Sequence, residues 1–107
     1  MRALIFGPLL AAGSLCLTLA GPAAAGEVIV VKITDLVFSP AAVKAKAGDT
    51  IEWVNEDLFD HTATANDESF DLAIPVGQSA RLEVKQPGAV PYYCRIHPNM
   101  KGTIDIE

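Results

Sequence analysis

Cysteine and histidine are both scarce in this chain, two of each among 107 residues. One of the cysteines, Cys16, falls within an N-terminal stretch that has the order of a secretory signal. Met1-Arg2 is a short basic start, Ala3 to Ala20 is almost wholly apolar, Gly21-Pro22 breaks the run, and Ala23-Ala24-Ala25 supplies the small residues a signal peptidase reads. Cleavage is expected after Ala25, making residues 1–25 a signal peptide and residues 26–107 the working domain. An uncleaved membrane anchor is the alternative, since the run approaches the ~20 residues needed to span. Gly7-Pro8, Gly13 and the Ala-x-Ala ending favour cleavage, and a lipoprotein reading through Cys16 is weaker because Leu15 is too bulky ahead of it. The exported domain then has no second thiol to pair with Cys94, which excludes an internal disulfide. A lone thiol in an oxidising compartment is buried, joined to another molecule or bound to metal.

Positive charge is also in short supply. Residues 26–107 carry seven basic side chains against thirteen acidic ones, a formal charge of −6. Nucleic acid, whose phosphates call for a basic surface, is excluded as a partner. Glu56, Asp57, Asp60, Asp67, Glu68 and Asp71 read as a solvated acidic face, with steering of a basic partner as the alternative. No repeat, low-complexity block or linker follows residue 26, and no stretch shows helical periodicity of convincing length.

What is present is β patterning. Val28 to Ile33 is a β-branched run, and Val43 to Ala47 alternates apolar and charged residues. Gly48-Asp49 turns into Thr50 to Asn55, which alternates again with Ile51 and Trp53 inward, so the two segments read as a hairpin. His61 to Ala65 leaves a loop as another strand, Ser69 to Ile74 reads as irregular, and Ser79 to Val84 resumes the pattern. Val90 to Tyr93 and Thr103 to Ile106 close the chain. The expected class is all-β, an antiparallel Greek-key β-sandwich of seven or eight strands. Trp53 is assigned to its core.

The chemistry gathers near the C-terminus. Cys94, His97 and Met100 offer a thiolate, an imidazole and a thioether at steps of three residues. Fully extended, the chain would spread Cys94 and Met100 about 20 Å apart. They can touch one ion only if the chain curls into a tight loop, and Pro98, Asn99 and Gly102 favour such a turn. The other histidine, His61, stands at a loop-to-strand boundary, as does Cys94, and sandwich loops collect at the ends of the strands. Cysteine, two histidines and a weak methionine are the ligand set of a blue-copper electron-transfer site. The bland readings are Cys94 as a small buried hydrophobe, His61 as a surface histidine and Met100 as core filler. Zinc is disfavoured because methionine is a poor zinc ligand.

The stretch Tyr93-Cys94-x-x-His97-Pro98-x-Met100-x-Gly102 resembles the ligand loop of the cupredoxins, and its short spacing is most similar to the amicyanin branch. Val43 to Asn55 resembles the segment that precedes the first histidine in that family, and the likeness covers nearly all of residues 28–107. It implies a Greek-key sandwich, a periplasmic type 1 copper site and one-electron shuttling, with His61, Cys94, His97 and Met100 as ligands to one copper ion cycling between Cu(I) and Cu(II). Two departures stand out. Thr62 occupies the place after the first histidine where the family commonly has asparagine, and the segment between His61 and Cys94 is a few residues shorter than in amicyanin.

The expected function is that of a soluble periplasmic one-electron carrier, monomeric and free of the membrane once the signal is removed. Redox protein partners would dock transiently near His97, among Leu58, Phe59, Ile96 and Pro98. A copper chaperone or storage protein delivering Cu(I) is the alternative. A copper enzyme needs a second centre with further histidines, and both histidines are already assigned.

Overall fold

The computed structural model describes residues 26–107; the expected signal peptide, residues 1–25, lies outside the described residues. Nine strands follow one another: β1 (Val28–Thr34), β2 (Val37–Ser39), β3 (Ala42–Ala45), β4 (Thr50–Asn55), β5 (His61–Ala65), β6 (Asp71–Ile74), β7 (Ser79–Glu83), β8 (Gly88–Tyr93) and β9 (Lys101–Ile106). Among the described residues no helix is long and apolar enough to cross a membrane. Period-two patterning decides which side of each strand faces in. In β4, Ile51, Trp53 and Asn55 are buried while the residues between them are half-exposed. In β1 the same alternation buries Val31 and Ile33.

The strands form a sandwich of two sheets, ordered β2-β1-β4-β7 and β3-β9-β8-β5-β6. The all-β expectation holds, with three differences. There are nine strands because Asp71–Ile74, read as irregular, pairs along β5 with His61 opposite Ile74 and Thr64 opposite Asp71, and because the short Val37–Ser39 pairs back on β1. The sheets are mixed, since β1 runs parallel to β4 and β3 runs parallel to β9. Finally, β3 and β4 are not a hairpin. The turn at Gly48-Asp49 carries the chain from one sheet to the other, with Gly48 at φ +100°, a backbone conformation that glycine adopts without a β-carbon clash.

The core lies between the sheets. Trp53, Tyr92, Phe38, Ile33, Ile51, Ile74 and Ile104 are its largest fully buried side chains. The Tyr92 ring stands edge-on to Phe38 at 4.8 Å and to Trp53 at 5.4 Å between centroids. Each of the phenylalanine and isoleucine side chains contributes about 1.5–3 kcal/mol through burial alone. Cys94 and Met100 belong to the same buried cluster, so one end of the core merges into the ligand loop.

Candidate metal centre

Two loops meet at one end of the sandwich, Glu56–Asp60 between β4 and β5, and Cys94–Met100 between β8 and β9. The first is shaped by Asn55, the last residue of β4, whose buried amide donates to the carbonyls of Phe59 and Ile74 at 2.8 and 2.9 Å. Its oxygen accepts the Asp57 amide at 2.9 Å. The second loop closes on itself: the Cys94 amide donates to the Met100 carbonyl at 3.1 Å, and the Met100 amide to the His97 carbonyl at 2.9 Å. Below it, a β-carbon on Gly102 would run into the Tyr92 ring, 2.5 Å from the hydroxyl oxygen. Only glycine lets β9 lie this close to the aromatic core as it leaves the loop.

His61, Cys94 and His97 come together. One ligand atom from each lies within 4.8 Å of the others. His61 Nδ1 is 3.7 Å from Cys94 Sγ, and the two imidazole centroids are 5.0 Å apart. Cys94 is fully buried, His61 is 1 % exposed, and His97 is half-buried beneath the surface. His97 Nδ1 is buried and has no hydrogen-bond partner. An unpartnered buried nitrogen costs about 1–3 kcal/mol, and a soft or borderline metal ion held together with the thiol and the second imidazole would satisfy it. The donor set therefore fits a transition metal. Met100 is buried in the cluster that contains Cys94, with its backbone closing the loop.

The two loops are joined through Thr62. Its amide donates to Cys94 Sγ at 3.3 Å, while its hydroxyl accepts the Arg95 amide at 2.8 Å. The hydroxyl in turn donates to Thr64 Oγ1 at 2.9 Å, and Thr64 donates to Asp71 Oδ1 at 2.7 Å. Arg95 Nε returns to that same oxygen at 2.9 Å. The circuit explains why all five residues of β5 are buried: His61, Ala63 and Ala65 face the core, and the threonines lie under Arg95 and Asp71. The hydroxyl of Thr64, together with Arg95, holds the Asp71 carboxyl below the usual carboxylate range.

Asp57, assigned from sequence to a solvated acidic face, turns inward instead. Its side chain is 9 % exposed, and its Oδ2 accepts His61 Nε2 at 2.9 Å. The same oxygen takes the Leu36 amide at 2.9 Å, and Oδ1 takes the Leu58 amide at 3.0 Å. The Leu36 amide, helped by the His61 ring and the Leu58 amide, holds this carboxyl below its ordinary range, although partial burial pulls the other way. The available signal was the pattern Asn55-x-Asp57-x-x-x-His61, in which the asparagine bends the loop and the aspartate reaches the imidazole.

Around the half-buried His97 ring the surface is apolar. Phe59 meets it edge-on at 5.7 Å, and Leu58, Phe59 and Ile96 are among the exposed large hydrophobics, Leu58 at 85 %. Pro98 is also exposed.

Residues 8–106 match the family model described as a cupredoxin-like domain. Amicyanin-alpha of Methylorubrum extorquens is 31% identical over an alignment 122 positions long that spans 100% of both chains. Plastocyanin of Scenedesmus fuscus is 34% identical over 86 residues, covering 67% of this chain and 88% of that one. Among solved structures, the Cu(I) form of an amicyanin point mutant superposes with a TM-score of 0.70 at 26% identity, over 79% of this chain and 86% of the other. A copper-containing nitrite reductase from Thermus scotoductus gives 0.71 at 28% identity, over 85% of this chain but only 25% of that enzyme.

Proposed function

This chain belongs to the cupredoxin-like family, and on that premise we propose that it is a one-electron carrier with a single type 1 copper site held by His61, Cys94, His97 and Met100. The observation that carries the reading is the convergence of one ligand atom each from His61, Cys94 and His97 within 4.8 Å, with His61 Nδ1 turned to Cys94 Sγ and His97 Nδ1 buried without a partner. Copper bound by this set would supply a redox centre that alternates between Cu(I) and Cu(II). The protein's part is to hold the ligands still. The Thr62 amide restrains the sulfur, the Thr62–Thr64–Asp71–Arg95 circuit locks one ligand loop to the other, and the tightly closed Cys94–Met100 loop resists spreading. A site that does not rearrange when an electron arrives has little reorganisation to overcome.

Partners would dock on the apolar surface of Leu58, Phe59, Ile96 and Pro98, with the His97 edge as the port for the electron. A small apolar patch suits brief, weak association. Arg95 is engaged with Asp71 beside this patch, so it shapes the ligand loop as well as bordering the docking face. Both histidines serve one cluster, and the likeness to nitrite reductase covers only a quarter of that enzyme; both favour a carrier over an enzyme. Residues 1–25 as a cleaved signal peptide would deliver a monomeric domain, residues 26–107, to the periplasm.

The visible and electron-paramagnetic-resonance spectra of the Cu(II)-loaded protein test the assignment. An intense thiolate-to-copper band is expected, and Cys94→Ser should abolish it; a blue variant would refute the site. Met100→Leu should keep the colour and raise the reduction potential, because an apolar neighbour disfavours the more highly charged ion. An unchanged potential would take Met100 out of the ligand set. Loss of Cu(II) to a mild chelator would favour delivery of Cu(I) over repeated electron transfer.

A further inference from the structure

The copper reading leaves the inward-turned carboxylate of Asp57 unused, and its placement is specific. An imidazole offers a ligand lone pair at only one nitrogen per tautomer, and the hydrogen bond at the other nitrogen selects which. His61 turns Nδ1 to Cys94 Sγ and Nε2 to Asp57 Oδ2, on opposite sides of the ring. An ionised carboxylate can only accept, so the ring proton belongs on Nε2 and the lone pair on Nδ1. The carboxylate is itself immobilised by the amides of Leu36 and Leu58. The Leu36 contact comes from the two-residue turn between β1 and β2, where Asp35 and Leu36 have φ +53° and +62°. For a leucine that conformation is unfavourable. It presents the amide that anchors Asp57.

We propose that Asp57 is a positioning residue of the copper site: its carboxylate fixes His61 in the Nε2–H tautomer, strengthens Nδ1 as a donor and biases the bound ion toward Cu(II). The inference rests on the copper reading above. Partners of this kind behind metal-bound histidines orient the ring and raise its basicity, and their loss weakens metal binding by about 10- to 100-fold. Here the partner carries a full charge, so its effect differs between the two oxidation states.

Asp57→Asn retains the size and an acceptor oxygen while removing the charge. Asp60→Asn is the control, because exposed Asp60 holds the same loop through the Val76 amide at 3.0 Å, while the His61 ring bonds to Asp57 instead. In Asp57→Asn the affinity for Cu(II) should fall about 10- to 100-fold, with a smaller fall for Cu(I). Each tenfold difference between the two appears as a rise of about 59 mV in potential, and Asp60→Asn should stay close to the parent. The tautomer is read without copper, from nitrogen-15 NMR of the metal-free full-length protein, where His61 should carry its proton on Nε2. A proton on Nδ1, or a potential and Cu(II) affinity in Asp57→Asn equal to those of Asp60→Asn, would overturn the proposal and leave Asp57 as a loop strut. If Asp57→Asn fails to fold, the tautomer of the parent protein decides. A parent protein that takes up no copper sinks the copper reading and this inference with it, whereas a parent that takes up copper with the His61 proton on Nδ1 sinks this inference alone.

Discussion

Thr62 touches both ligand loops at once, donating to the Cys94 sulfur through its amide and accepting the Arg95 amide on its hydroxyl. Thr62→Val keeps the shape and the backbone bond but deletes the acceptor, leaving the Arg95 N–H without its partner. The expected loss is about 1–3 kcal/mol, read by urea denaturation of the copper-free protein, and Thr62→Ser should recover most of it. A loss near zero would mean that solvent already serves the Arg95 amide. This residue also shows what the sequence could disclose at the smallest scale. The meeting of Cys94, His97 and His61 was legible because a thiol and an imidazole three residues apart have few other uses and His61 is the only remaining imidazole, whereas Met100, buried in the cluster that contains Cys94, stays a proposed ligand. Thr62 was visible as a departure from the family's asparagine, but not its circuit, because Thr64, Asp71 and Arg95 are brought together only by the pairing of β5 with β6 and by the turn after β8. Asp57 was misread for a related reason: nothing in a run of acidic residues says which one points inward.

Between the elements, the most informative contact is Asp49 at the turn from β3 to β4. Its Oδ2 accepts the Lys46 amide at 2.8 Å within the turn, and its Oδ1 accepts the Glu27 amide at 2.9 Å ahead of β1. This aspartate therefore pins the start of one sheet to the point where the chain changes sheets. Lys46 first and Glu27 second, by donating to the carboxylate, hold its pKa below the ordinary 3.8. A folded-state pKa below the unfolded one adds stability above the unfolded value and forfeits it as pH falls through the folded value. Asp49→Asn should thus be less stable than the parent at pH 7, with the gap closing as pH drops below 3.8. Denaturant midpoints at neutral and acid pH check this, and a gap that is independent of pH would remove the carboxylate from the clamp. The same crossing explains why the parallel pairs escaped the sequence. Alternation in Val43–Ala47 and Thr50–Asn55 identifies two strands, and a Gly-Asp between them signals a turn. Neither distinguishes a hairpin from a turn that sends successive strands into different sheets, because that outcome is set by β9 and β1 arriving alongside.

For the molecule as a whole, the arrangement separates what folds the chain from what would bind the metal. The core of Trp53, Tyr92, Phe38 and the isoleucines is closed by apolar contact, and both ligand loops are held by hydrogen bonds within the polypeptide. Small domains whose fold depends on an ion have few such contacts and unfold without it. Here the copper-free protein should remain folded, with a β-rich circular dichroism spectrum and a cooperative thermal transition. Copper should then act only as a ligand of the native state, raising stability by mass action: about 2.7 kcal/mol at a free concentration one hundred times the dissociation constant. Cys94→Ser should preserve the copper-free transition, since serine is close in size to the buried cysteine, while losing most of the copper increment. Thermal melts of both proteins with and without the ion provide the measurement. A copper-free parent that lacks a cooperative transition would show that the sandwich cannot stand on its own core and that the metal is part of the fold rather than a passenger on it.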